Sequence, residues 1–261
     1  MNMAFIRWCN ARRIFIRKYL VSALYRLGWQ QKFLHLRRPG LALLKGEGVE
    51  IGAFEHPSLV PHACRVRYAD VITPEQAVRQ YPEIDASRLV AIDYLLDLDV
   101  DGLAQIATGS LDFVIACHVI EHVANPGRLV AEMIRVVKVG GHVVIAAPDR
   151  DYTFDRLRKE TPLSTLETYF RYGRSPIGPE DYREMIEANH PELRDADPAV
   201  VEGALRGLHD RREHLSVWTA AGFREFLLAA FGWCGAVMVP CYEVESDRNH
   251  FEYFGVWHRE S

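Results

Sequence analysis

Residues 111–149 read LDFVIACHVIEHVANPGRLVAEMIRVVKVGGHVVIAAPD and constrain the fold more tightly than any other stretch. Leu111–Cys117 is short and almost wholly apolar, which suits a strand covered on both faces. Asn125 and Pro126 then mark a helix start, because an Asn side chain can accept from a free backbone N–H and proline has none to satisfy. Leu129, Val130, Met133, Val136 and Val137 recur at helical spacing and give that helix one apolar face. Lys138 sits near its expected end, and Gly140 and Gly141 are expected to stop it. Residues 141–147 form a second apolar run, closed by Pro148 and Asp149. The pattern is a strand–helix–strand unit, so an α/β fold built on a parallel sheet is expected. Between the first strand and the helix lies His118-Val119-Ile120-Glu121-His122. That position, just beyond a strand's carboxyl end, is where open α/β sheets place their ligands.

A chain of 261 residues, 49% of them hydrophobic, allows one such domain with additions. The five cysteines (Cys9, Cys64, Cys117, Cys234, Cys241) are odd in number and form no CxxC pair. Reduced thiols in the cytosol are expected, rather than a disulfide framework or a zinc ribbon. The formal net charge of −4 conceals an asymmetry. Residues 1–46 hold ten Lys or Arg and no Asp or Glu, which leaves −14 on the remainder. An acidic body argues against nucleic acid as the main partner. No apolar run approaches the roughly 18 residues of a membrane span. The first residues also lack the uninterrupted apolar core of a signal peptide.

Within residues 1–46, Phe5, Trp8, Cys9, Phe15, Ile16, Tyr19, Leu20, Ala23, Leu24 and Leu27 recur at three- and four-residue steps. Arginines and Lys18 fall between them, so an amphipathic helix ending at Gly28 is expected. Two uses suit it: a cap packed on the acidic body, or a basic helix lying on an anionic membrane surface. Residues 47–261 then form the main domain. Residues 48–52, GVEIG, read as its first strand and Arg65–Asp70 as its second. Only twelve residues with two prolines separate them, so the first crossover helix must be very short or absent. Asp70 ends the second strand 18 residues after Gly52, the spacing at which nucleoside binders hold ribose hydroxyls. Residues 74–81 read as a short helix and 89–95 as a third strand, followed by Asp97-Leu98-Asp99. After the fifth strand, Asp149, Tyr152, Asp155 and Arg156 are candidate substrate contacts, with a structural salt-bridge network as the competing role. Residues 175–212 are helical and charged, and about 150–215 as a whole reads as a lid insertion. A helix opened by Thr219 and final strands at 235–244 and 251–258 complete the chain.

The ordered run of fourth strand, Glu-His loop, Asn-Pro helix start and Gly-Gly strand entry resembles class I S-adenosylmethionine-dependent methyltransferases of the type 11 kind. The resemblance is firm over about 48–162, looser over 215–258 and absent over 1–46. It implies a Rossmann-like, seven-stranded, mostly parallel sheet with a final antiparallel hairpin, carrying here an N-terminal helix and a helical cap insertion. It implies S-adenosyl-L-methionine as cofactor, with Glu50 on its amino group, Gly52 at its methionine part and Asp70 on its ribose. Asp97, with Asp99 as fallback, and Leu98 would face its adenine, while Cys117 and His118 would lie near its methionine end. Phe54 stands where the family has a second glycine. The loop at 51–61 and the segment from Pro148 are similar to a subgroup found in bacterial glycan synthesis, although that subgroup's histidine near residues 164–165 is missing. The subgroup implies a sugar hydroxyl, on a glycan or its lipid-linked precursor, as acceptor.

His122 is the candidate general base for a hydroxyl acceptor, with Glu121 orienting it. No metal belongs to this reading. His118-Val119-Ile120-Glu121-His122 also matches the inverted zincin pattern, but that chemistry needs a continuous helix. A divalent site of Glu121, His122 and His209 or His214 is a second metal-assisted alternative. A module that keeps the fold without catalysis is a third, favoured by Phe54 and the short crossover. A dinucleotide oxidoreductase is disfavoured because no G-x-G-x-x-G follows the first strand. A small-molecule or glycan substrate, no nucleic acid, and a cytoplasmic location with peripheral membrane contact through residues 1–38 complete the expectation.

Overall fold

A computed structural model describes residues 30–81 and 84–261. The expected helix over residues 5–28 lies outside them. In chain order the main elements are α1 (Gln30–Leu41), β1 (Glu47–Ile51), β2 (Arg65–Asp70), α2 (Pro74–Gln80), β3 (Tyr94–Leu95), β4 (Leu111–Cys117), α3 (Pro126–Val136) and β5 (Val137–Pro148). They continue as α4 (Leu163–Tyr172), α5 (Arg183–Asn189), α6 (Pro198–Asp210), α7 (Ala220–Trp233), β6 (Met238–Val244), α8 (Ser246–Asn249) and β7 (Glu252–Arg259). The strands form one seven-stranded sheet in the order β3-β2-β1-β4-β5-β7-β6. Strands β1 to β5 run parallel, and β7 lies antiparallel between β5 and β6. This is the expected Rossmann-like arrangement with its closing hairpin.

Alternate residues of the central strands feed two separate cores, one on each face. Val114 and Ala116 of β4, Val143 and Ile145 of β5 and Trp257 of β7 face α3 and α7. Phe113, Ile115, Val144, Ala146, Phe254 and Val256 face the other way, onto Leu41 and Leu44. Both faces are dry, which explains why β4 reads as continuous apolar sequence. The second face has an unusual cover. No helix joins β1 to β2, as the two prolines in that short stretch predict, and α1 packs on that face instead. Its approach is close: a Cβ on Gly40 would meet Tyr242 Cδ1 at 2.6 Å. The Tyr242 hydroxyl donates to the Leu36 carbonyl across 2.7 Å.

Three boundaries differ from the expectation, the simplest being β6, which begins at Met238 rather than at residue 235. Helix α3 stops at Val136 and β5 starts at Val137, so Lys138 belongs to the strand rather than the helix end. Buried Val137 pairs with Leu111, and a register shift before the Phe113–His142 pair absorbs residues 138–141. Lys138 there reaches Asp112 at 2.7 Å. The third strand is only Tyr94 and Leu95, not residues 89–95. Leu89 and Val90 turn inward instead, with the Val90 N–H donating to the Phe54 carbonyl, and the Asp93 carboxylate accepts from the Tyr68 N–H.

Candidate active site

Strand order reverses between β1 and β4, which makes the crevice beyond their carboxyl ends the topological switch point. Gly52 leaves β1 with φ +70° and His118 leaves β4 with φ +57°. The two loops touch: a Cβ on Gly52 would come within 2.8 Å of Val119 Cγ2, so only glycine fits there. Residues 118–122 are not one helix; His118 is left-handed and Ile120–His122 is a single 3-10 turn. The inverted zincin geometry is therefore absent from this segment.

His118 is held from below. Its Nε2 lies 2.5 Å from Glu252 Oε2, and its ring stacks on Phe251 with centroids 5.0 Å apart. Glu252 is fully buried and takes a two-pronged bond from Arg37 of α1, whose Nε donates to Oε1 across 2.7 Å. Burial opposes charge on the His118 ring, but Glu121 and Glu252 outweigh it and raise the imidazolium to about 9. Burial likewise works against an ionised Glu252, and Arg37 and His118 overcome it, leaving the carboxyl near 2.

Glu121 is the centre of a second group. It is fully buried, and neither carboxylate oxygen accepts a hydrogen bond. Three imidazole nitrogens surround its Oε1: His118 Nδ1 at 3.5 Å, His122 Nε2 at 3.8 Å and His214 Nε2 at 3.9 Å. Burial pushes this carboxyl up, yet His118, His122 and His214 together bring it down to about 2. His122 Nδ1 sits 2.6 Å from the Arg212 carbonyl, which can only accept. The proton of a neutral ring is thus on Nδ1, and Nε2 carries the lone pair. Burial lowers the His122 pKa, only partly offset by Glu121, so the ring is neutral near pH 7. His214 is fixed in the same way by Asp155, whose Oδ2 lies 2.6 Å from Nδ1. The N–H groups of Leu215 and Ser216 donate to the Glu121 carbonyl, which pins residues 212–216 across the crevice as a strap.

The cofactor candidates line the other half of the crevice. Glu50 is buried, and both its oxygens accept from Ser58, whose N–H is 3.0 Å away and whose hydroxyl reaches Oε1 at 2.7 Å. Asp70 ends β2 beside a small apolar cavity formed by Phe54, Ile72, Ala77, Leu89 and Val90. Its Oδ1 caps the N–H groups of Val71 and Ile72, and burial raises its pKa. Phe54 has φ +46°, so it keeps the left-handed backbone of the glycine it replaces, and its ring meets Tyr81 edge-on at 5.8 Å. Asp97 forms a two-pronged pair with Arg212, while Asp99 Oδ1 accepts from the Ala124 N–H at 2.7 Å. Leu98 packs against the core beneath. Cys117 points into the α1 face, and burial pushes its thiol up to about 12.

The four substrate candidates divide. Asp149 is buried and braces three elements: it accepts from the Ala220 N–H at 3.0 Å, the Ser246 hydroxyl at 2.5 Å and the Asp151 N–H at 2.9 Å. Asp155 is buried between Arg158, at 2.8 Å, and His214. Tyr152, tilted against His250, and Arg156 are exposed. His209 stands apart from the cluster, edge-on to Tyr182 at 6.3 Å. Sequence reasoning passed over Glu252, Arg37, Arg158 and Arg212. Glu252 left a signal, since it is one acid inside the otherwise apolar run FEYFGVW.

Residues 63–145 match the family described as methyltransferase domain. No curated protein matches the chain. Among solved structures, one similar protein is a Rhodobacter sphaeroides protein provisionally called a Zn-dependent alcohol dehydrogenase. It has 16% identity and TM-score 0.51, over 88% of this chain and 90% of that one. Another is a Thermotoga maritima S-adenosylmethionine-dependent methyltransferase, described as a possible histamine N-methyltransferase. It has 14% identity and TM-score 0.49, over 95% of this chain and 99% of that one. A third, the CurJ carbon methyltransferase, has 15% identity and TM-score 0.43. The match takes in 83% of this chain but spans only about half, 49%, of that one. Structural likeness at these identities speaks to the fold. The matched segment carries the class: the chain contains a methyltransferase domain, a transferase whose cofactor is S-adenosylmethionine. On the side of β2 the Asp70 carboxylate borders apolar side chains around a cavity of about 10 Å³, which has the chemistry a nucleoside's diol and base call for but not the room for them as it stands.

Proposed function

We propose that the chain methylates an oxygen of a small-molecule or glycan acceptor, and that the acceptor enters beside Glu121 and His122. The observation that carries this reading is the His122 ring, tied by Nδ1 to the Arg212 carbonyl so that its Nε2 lone pair is available beside the switch point. S-adenosylmethionine supplies an electrophilic methyl group, and the protein's task is alignment and exclusion of water. Asp70 would hold the ribose, with Phe54, Ile72 and Val90 around the base and Gly52 admitting the methionine part. Glu121, His122 and His214 form the Lewis-basic set that acts on the acceptor's hydroxyl proton, and the strap at 212–216 roofs them. His118, held as imidazolium, keeps a positive charge at the base of the site. The similarity to glycan-synthesis methyltransferases favours a sugar hydroxyl, on a lipid-linked precursor in the cytoplasm.

The decisive assay supplies methyl-labelled cofactor with hexose-containing and phenolic acceptors. Label recovered as an alkali-stable methyl ether supports the reading, and label on nitrogen or carbon overturns it. Among the described residues no helix is long and apolar enough to cross a membrane. The six cations of residues 1–29 suit an anionic surface, each adding roughly 1 kcal/mol near it. Flotation with anionic vesicles at low salt should therefore retain the full chain and lose a version starting at Gln30. Equal behaviour of the two proteins removes the membrane contact. The cut falls at Gln30 rather than Pro39 because Arg37 is part of the folded domain.

A further inference from the structure

Glu121, His122 and His214 each offer one ligand atom, and these atoms lie within 4.8 Å of one another. We propose that the three side chains bind a divalent first-row cation, a property that rests on the reading of this crevice as the acceptor site and supplies its means of hydroxyl activation.

Three observations carry it. First, Glu121 is fully buried, and neither oxygen has a hydrogen-bond donor. The His118 ring, with Nδ1 3.5 Å from Oε1, is the neighbouring cation, and Oε2 is left without a polar partner, so the carboxylate can still take a further one. Second, both histidines are committed at Nδ1 to groups that only accept: the Arg212 carbonyl for His122 and the Asp155 carboxylate for His214. Each therefore turns an Nε2 lone pair toward Glu121. A carboxylate behind a histidine is the arrangement that orients metal-binding imidazoles, and Asp155 is itself fixed by Arg158 at 2.8 Å. Third, the two separations from Glu121 are those of ligands rather than of hydrogen-bonded partners, and all three donor atoms lie within 4.8 Å of one another. His122 Nε2 and His214 Nε2 lie 3.8 and 3.9 Å from Glu121 Oε1. Atoms each about 2.1 Å from a shared ion sit roughly 3–4 Å apart.

Two histidines and one carboxylate leave coordination positions free, a donor set suited to zinc, manganese or iron. His122 is only partly buried, so the site opens to the crevice. A hydroxyl bound there would give up its proton to solvent more readily, and its oxygen would then attack the methyl carbon of S-adenosylmethionine as the C–S bond breaks and S-adenosylhomocysteine leaves.

The test uses the full-length protein stripped with chelator and titrated separately with ZnCl2 and MnCl2. Elemental analysis after dialysis gives the stoichiometry. One equivalent per chain is expected for at least one metal, with Glu121→Gln and His214→Ala each weakening binding at least 10-fold. Asp155→Asn should weaken it about 10-fold through His214, and His209→Ala should leave it unchanged. Should Glu121→Gln fail to fold, His214→Ala with a native circular dichroism spectrum decides the matter. Sub-stoichiometric binding of both metals by the wild type, or equal affinity in folded His214→Ala, overturns the proposal. Titration with S-adenosylhomocysteine in the same samples separates the two readings. Metal binding without nucleoside binding leaves this site standing and removes methyl transfer; the reverse result removes the metal and leaves methyl transfer.

Discussion

The two halves of the crevice treat their carboxylates differently. On the β1–β2 side, Glu50 is bonded to Ser58, Asp97 to Arg212 and Asp99 to the Ala124 N–H. On the β4 side, Glu121 is more deeply buried than any of these but has only three imidazoles at 3.5–3.9 Å and no hydrogen-bond donor. A satisfied buried acid holds loops together, whereas an unsatisfied one is retained at a cost and implies a partner that binds during use. The contrast sets hydrogen-bonded carboxylates on one side of the switch point against an unsatisfied one on the other.

Four changes break or sharpen this contrast. The largest effect is expected from Glu252→Ala, which strips Arg37 and His118 of their shared anion. Removing one member of a buried ion pair costs about 3–5 kcal/mol, so the denaturant midpoint should fall steeply. An unchanged midpoint would mean that α1 does not depend on this contact. His122→Ala should come next, lowering kcat by on the order of 10²-fold with Tm and cofactor affinity little changed. Wild-type turnover in that variant would end its assignment to the chemistry. Asp70→Ala should weaken S-adenosylhomocysteine binding by roughly 10-fold or more, because bonds to a charged group contribute about 1.5–3 kcal/mol. Calorimetry showing equal affinity would move the ribose elsewhere. Arg212→Ala is the mildest. Its pair with Asp97 is partly exposed, so stability should change by less than about 1 kcal/mol. Turnover should also persist, since His122 is held by the Arg212 carbonyl rather than its side chain.

The sequence disclosed what repeats locally. The β4–α3–β5 unit was legible because the apolar period and the N-cap agree, and Asn125 does accept from the Arg128 N–H, whereas the Gly140-Gly141 stop falls inside β5. Thr219 likewise caps α7 through the Gly222 N–H. The missing crossover helix was legible from two prolines in twelve residues. Long-range partnerships were not. Nothing near Arg37 announces Glu252, 215 residues away, and nothing near Glu121 announces Asp155 behind His214. The third strand was overcalled because Leu89 and Val90 have strand character but are drawn in to line the cavity at Phe54. Asp155 and Asp149, picked as substrate contacts for their place after β5, are held by protein groups instead. Position relative to the sheet indicates where a ligand can sit, while the direction of each side chain is decided by packing.

Helix α1 covers the face over which no helix joins β1 to β2, and this ties the order of synthesis to the order of assembly. Arg37 is made early, but the anion that receives it lies in the last strand. Phe254 and Val256 of β7 complete the cover that Leu41 and Leu44 begin over Phe113 and Ile115, and the same strand brings the anion that anchors His118. Early-made and late-made residues must then find each other over a long loop, a step that is slow and leaves apolar surface exposed meanwhile. A chain interrupted before Glu252 would hold nearly every side chain of the crevice and still be unable to set its floor. A finished site therefore requires β7.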